Sequence, residues 1–169
     1  MMKPVEMLDF EIQIAEKNSG EYADVHADCL RWVRENGQEF TGFDRAGSAK
    51  LAEFRTPEEK ACYHNTLLAR DYRDQSLLYY EGWCDFGIGL PMHHAWNVRD
   101  GVVLDVTLSL PFWDDKDASA ISYFGVEVPY DWAWEQVPKA GMGRDAMTSG
   151  PFMFDWAHSQ CQQDSVVAE

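Results

Sequence analysis

The stretch His94-Ala95-Trp96-Asn97-Val98-Arg99-Asp100-Gly101-Val102-Val103-Leu104-Asp105-Val106-Thr107 decides how this chain folds. Two runs rich in apolar residues flank Asp100-Gly101, and Asp-Gly between such runs signals a two-residue β-hairpin turn. With that turn, Arg99 pairs with Val102, Trp96 with Asp105 and His94 with Thr107. Strand alternation then sets His94, Trp96, Val98, Val103, Asp105 and Thr107 on one face. Asp105 becomes the diagonal neighbour of His94, about 7–8 Å away between backbones and within reach of two such side chains. A three-residue loop would send the two to opposite faces, so the parity of the turn carries the reading.

Outward from the hairpin, 77–84 is rich in strand formers and runs into a loop punctuated by Gly87, Gly89 and Pro91. A further strand is expected over 121–128. Upstream, Tyr22, Val25, Cys29, Trp32 and Val33 recur at helical spacing and predict a first helix over 19–36, stopped by Asn36-Gly37. Cys29 lies on that stripe and reads as core. The stretch 41–55 reads as a loop with at most a short helix over 48–54. Thr56, Pro57 and Glu59 form a T-x-x-E capping box that predicts a second helix to Asp71 or Tyr72, with Cys62 in its second turn. From residue 129 to 162, Trp132, Trp134, Phe152, Phe154 and Trp156 stand among glycines and prolines, which suits short helices and loops. A frayed tail is expected over 163–169. The fold class predicted is α+β: one domain over 1–169, its core at about 56–128, with N-terminal helices (the Cys62 helix among them) packed on an antiparallel sheet.

Composition limits the function. An apolar share of 46% with 14% aromatics excludes a disordered chain. Twenty-nine acidic residues against 14 basic give a net charge of −15, which repels a phosphate backbone and argues against nucleic acid as a partner. No stretch nears the eighteen apolar residues of a membrane span, and the N-terminus lacks a signal peptide's apolar core, so a cytoplasmic protein without a membrane partner is expected. Cys29, Cys62, Cys84 and Cys161 contain no C-x-x-C pair, so neither a disulfide framework nor a structural zinc site is indicated. No nucleotide loop, metal motif or flavin signature points to a cofactor, and the five histidines lack metal-ligand spacing.

A cysteine nucleophile needs a base to take its proton and a group to orient that base. Cys62 on a helix, His94 on one hairpin strand and Asp105 on the other supply the three roles in order. A carboxylate at Asp105 can hold one imidazole nitrogen of His94 and leave the other for Cys62. His93 is the rival base, but alternation points it to the opposite face. His64 is expected on the solvated surface, and His26 and His158 have no identifiable partners. Asn65, at i+3 from Cys62, could polarise the site or cap a loop. Trp96 reads as core or cleft wall. Trp132 reads as core, groove lining or lid. Asn65, Trp96 and Trp132 are thus the candidate substrate-binding residues. Cys84 reads as packed.

Ala61-Cys62-Tyr63-His64-Asn65, then Tyr80-Glu81-Gly82-Trp83, His94-Ala95-Trp96-Asn97-Val98 and Leu104-Asp105-Val106-Thr107, resemble the motifs of the transglutaminase-like, papain-type cysteine enzymes. The resemblance implies Cys62 as nucleophile, His94 as general base and acid, and Asp105 as the orienting carboxylate. It implies a helix bearing the nucleophile against an antiparallel sheet. It also implies attack on an amide, ester or thioester carbonyl of a protein, peptide or small acyl substrate, completed by water or by an amine. The competing expectations are an acidic binding or inhibitor protein that docks a basic partner, and a small-molecule binder using the C-terminal aromatics.

Overall fold

The structure, a computed structural model, describes residues 2–18, 20–54, 56–58, 60–137 and 151–167. Along the chain run α1 (Pro4–Lys17), α2 (Glu21–Asn36), β1 (Gln38–Thr41), α3 (Arg45–Ala52), α4 (Cys62–Tyr72), β2 (Leu78–Asp85), β3 (Met92–Arg99), β4 (Val102–Leu104), β5 (Ser122–Glu127), α5 (Tyr130–Gln136) and α6 (Met153–Val167). The strands form one antiparallel curled sheet in the order β1-β5-β2-β3-β4, so the fold is α+β.

The hairpin is built as its turn residues dictate. Asp100 and Gly101 have φ of +53° and +78°, the pair of positive angles a type I′ turn requires. Arg99 pairs with Val102, Val98 with Val103 and Asn97 with Leu104. There the ladder stops, so the expected Trp96–Asp105 and His94–Thr107 backbone pairs do not form. The cause is local: Asp105 Oδ1 accepts the backbone N–H groups of Thr107 at 3.1 Å and Leu108 at 3.0 Å, which curls the chain off the strand.

The sheet is buried on both faces. Tyr79, Trp83, Ala95, Phe124 and Val126 meet Leu8, Leu30, Val33 and Met153 from α1, α2 and α6. Tyr80, Cys84, Trp96, Val98, Val103 and Tyr123 fill the inside of the curl, together with Phe40, Phe43, Phe86 and Leu108. At its centre Gly82 lies opposite Gly125. A Cβ on Gly82 would overlap the Phe124 carbonyl oxygen, and one on Gly125 would overlap the Glu81 carbonyl oxygen. Only paired glycines let these backbones approach so closely.

Several elements depart from the sequence reading. A helix, α1, precedes the expected first one: Pro4 opens it, and the Lys3 backbone N–H donates to the Glu6 carboxylate at 2.7 Å. The short edge strand β1 was not anticipated. Helix α3 starts before 48–54 because Asp44 caps it, accepting the Gly47 N–H at 2.9 Å. The C-terminal segment holds a long helix that continues to Val167, where a frayed tail over 163–169 was expected. Helices α1 and α2 also place the core well outside 56–128. Ser19, Glu59 of the expected capping box, residues 138–150 and residues 168–169 lie outside the described residues.

Helix α4 begins at Cys62, not at Pro57. Lys60 takes a φ of +60°, which no helix continues through. The Asn65 side chain holds the preceding segment open, accepting the Glu58 N–H at 2.9 Å and donating to the Glu58 carbonyl at 2.8 Å. The helix then sinks between the sheet and its loops, so that every residue from His64 to Ala69 is buried. His64 is therefore an interior residue and not the surface histidine expected. Thr66 Oγ1 ties α4 to β3 by donating to the Ala95 carbonyl at 3.1 Å.

Glu81 of β2 is wholly buried on the helical face. Tyr79 Oη and the Met153 backbone N–H at the start of α6 donate to its two carboxylate oxygens. Burial outweighs these donors and pushes its pKa up to about 8. A carboxyl raised in the folded state stabilises most below its ordinary pKa near 4.5, and that contribution is lost as pH rises toward 8. Denaturant melts of wild type and Glu81→Gln should therefore diverge across that window. Relative to the variant, wild type should lose up to about 1.4 kcal/mol per pH unit. A difference that stays constant with pH would refute the raised pKa.

Candidate functional site

Cys62, His94 and Asp105 come together where α4, β3 and the chain leaving β4 meet. Starting α4 at Cys62 puts the sulfur at the positive end of the helix, partly exposed, instead of one turn along its barrel. His94 points into the curl, 3% exposed, with Phe86 edge-on at 5.1 Å and Trp96 stacked at 6.4 Å between ring centroids. Its Nε2 lies 2.7 Å from Asp105 Oδ2. The other ring nitrogen is not used by Asp105, and Cys62 lines the same cleft as His94.

Asp105 is 1% exposed yet fully partnered. Besides His94, Oδ2 accepts from Tyr123 Oη at 3.2 Å, while Oδ1 takes the Thr107 and Leu108 N–H groups. Its own N–H donates to Ser48 Oγ at 2.8 Å, and that hydroxyl donates to the Asp44 carbonyl at 2.6 Å. The carboxylate is thus fixed by β5, α3 and its own loop. Burial alone would lower the His94 pKa, but the charges and hydrogen bonds of Asp105 and Cys62 prevail and raise it to about 10. The shift favours the protonated ring.

The three sequence-derived substrate-binding candidates lie elsewhere. Asn65 is buried with its amide already spent on Glu58 and on Thr107 Oγ1, 3.1 Å away; it braces the loop before Cys62. Trp96 is fully buried beneath His94, packed on Tyr123, Tyr80 and Phe40. Trp132 packs against Trp156 on the helical side of the sheet. None of them lines the cleft. His93, on the opposite face of β3 from His94, packs on Trp83 and Phe154 and pairs with Glu11 at 3.6 Å, although its edge borders the cleft.

The cleft itself has a volume of about 430 Å³ and exposes Cys62 and His94 among Lys60, Tyr63, Phe86, Met92, Leu108, Leu110, Phe112 and Trp113. One side of its wall, Thr107 to Trp113, comes from the loop after Asp105, which the sequence reading passed over. The signal there is Leu108-Ser109-Leu110-Pro111-Phe112-Trp113, an apolar run without strand alternation beside the polar Asp114-Asp115-Lys116-Asp117. A wider groove of about 820 Å³ lies between β1, the hairpin turn and 117–119, but none of its lining residues is a cysteine or histidine. Cys62 and His94 line the smaller cleft.

Comparison with known proteins returns no matching family model, no matching curated sequence and no matching solved structure.

Asp105→Asn keeps an acceptor for the Thr107 and Leu108 N–H groups while removing the charge that faces His94. The His94 pKa should fall from about 10 by about one to three pH units. An NMR titration of the imidazole reads this directly, and an unchanged midpoint would remove Asp105 as the source of the shift.

Proposed function

We propose that this chain is a thiol hydrolase or acyltransferase that works through an acyl-enzyme on Cys62, in the manner of the transglutaminase-like, papain-type enzymes. The observation that carries this reading is a buried imidazole pinned by Asp105 on Nε2, with Cys62 beside it in the lining of one open cleft. An imidazolium beside a sulfur at a helix N-terminus is the setting in which thiols react as thiolates.

In the first half-reaction Cys62 Sγ bonds to a carbonyl carbon of an amide, ester or thioester, and the departing amine, alcohol or thiol takes its proton from His94. In the second, water or an amine attacks the thioester, His94 takes the proton back, and the carbon–sulfur bond breaks. As the first residue of α4, Cys62 carries a backbone N–H that the helix does not itself use. That group can donate to the oxyanion. Asp105 fixes the tautomer and the ring plane of His94 throughout.

The four cysteines provide an internal test. Burial pushes the Cys29 thiol up to about 11 and the Cys84 thiol well above its ordinary value, so both should resist alkylation. With iodoacetamide between pH 5 and 9, followed by peptide mass mapping, Cys62 should react first and remain reactive below pH 7. His94→Ala should slow Cys62 at pH 6 by at least about tenfold. A Cys62 that reacts no faster than partly exposed Cys161, in both proteins and at every pH, would sink the proposal.

A further inference from the structure

The cleft is chemically unlike the rest of the molecule. The chain carries 29 carboxylates, yet the described residues lining the cleft include neither Asp nor Glu. Its walls are Phe86, Met92, Leu108, Leu110, Phe112 and Trp113, with Phe86 stacked on Trp113 at 5.2 Å and Phe112 edge-on to Trp113 at 5.1 Å. The two loops that frame it also leave large apolar side chains in water: Phe112 is 74% exposed and Met92 45%, while Ile88 and Leu90 stand exposed between Phe86 and Met92. Large apolar side chains exposed together around a pocket mark a binding surface. A volume of about 430 Å³ lies within the range of sites that enclose small ligands.

We infer that the acyl group taken onto Cys62 is apolar and uncharged, an aliphatic or aromatic chain that extends from the sulfur along Leu108, Leu110, Phe112 and Trp113. This rests on the acyl-enzyme reading above and adds the substrate class. A cationic chain would find no carboxylate in the wall, and an anionic one would find only the exposed Lys60 and His94, whose charge is already paired with Asp105. An apolar chain instead covers surface already exposed to water, and each methylene buried should raise kcat/KM about fourfold. The chemistry is balanced: the carbon–sulfur bond to Cys62 forms as the carbon–oxygen bond to the leaving group breaks. Water then adds its oxygen to the acyl carbon, gives a proton to His94, and the carboxylic acid departs as the thiolate is restored.

The test is a ladder of p-nitrophenyl acetate, butyrate and hexanoate, identical in leaving group. Each rate is divided by that ester's own rate with hydroxide, and the acyl adduct on Cys62 is read by mass. From acetate to hexanoate kcat/KM should climb on the order of a hundredfold. Phe112→Ala, at an exposed position that the fold does not depend on, should shrink the hexanoate-to-acetate ratio about five- to tenfold. A flat or falling ladder overturns the inference while adducts on Cys62 leave the nucleophile intact. A hexanoate-to-acetate ratio untouched by Phe112→Ala likewise overturns the assignment of this wall to the acyl chain. No adduct with any of the three esters removes the acyl-enzyme reading and this inference with it.

Discussion

The carboxylate of Asp105 is the constraint on which the rest of the site depends. Its two oxygens take hydrogen bonds from His94, from Tyr123 and from two successive backbone amides, so β3, β5 and the loop beyond β4 all end on one buried anion. Burying a charge is tolerable only when its acceptor capacity is filled, and here four donors fill it. Removing any one would leave a buried acceptor short of a partner, at a cost of about 1–3 kcal/mol. The same group ends the β4 ladder, fixes the His94 ring and starts the loop that walls the cleft. The end of the sheet and the shape of the cleft are therefore set by one side chain.

A second layer of support is aromatic. His94 stacks on Trp96, which itself rests on Tyr80, Tyr123 and Phe40. The ring cannot tilt without disturbing a close-packed floor, and interiors of this density yield little. Asn65 does for Cys62 what Trp96 does for His94. By clamping Glu58 it holds the chain before Cys62 out of the helix, and so puts the sulfur at the helix end.

What the sequence made legible was short-range. Asp100-Gly101 fixes a turn through backbone preferences of two residues, and alternation then puts His94, Trp96, Val98 and Val103 on one face without further knowledge of the fold. The order of Cys62, His94 and Asp105 likewise needed only the hairpin and a helix. The missed features depend on partners far along the chain. Thr56-Pro57 imitates a helix start, and what prevents it is the Asn65 clamp together with the left-handed Lys60. Trp96 looks the same in sequence whether it walls a cleft or floors it, and the choice is made by Phe40 from an edge strand not foreseen. His64 reads as a surface residue until α4 is seen to be covered on all sides over that stretch. Tyr123 and Ser48 hold Asp105 with no motif to announce them.

The way Asp105 is anchored also bears on the life of the chain before it is finished. Cys62 and the residues of α4 leave the ribosome well ahead of Asp105 and of Tyr123, the last strand's contribution to the anchor. Until β5 has docked, the Asp105 carboxylate lacks one of the donors that fix it against His94. The geometry that joins α4, β3 and the loop beyond β4 is therefore complete only when the sheet closes.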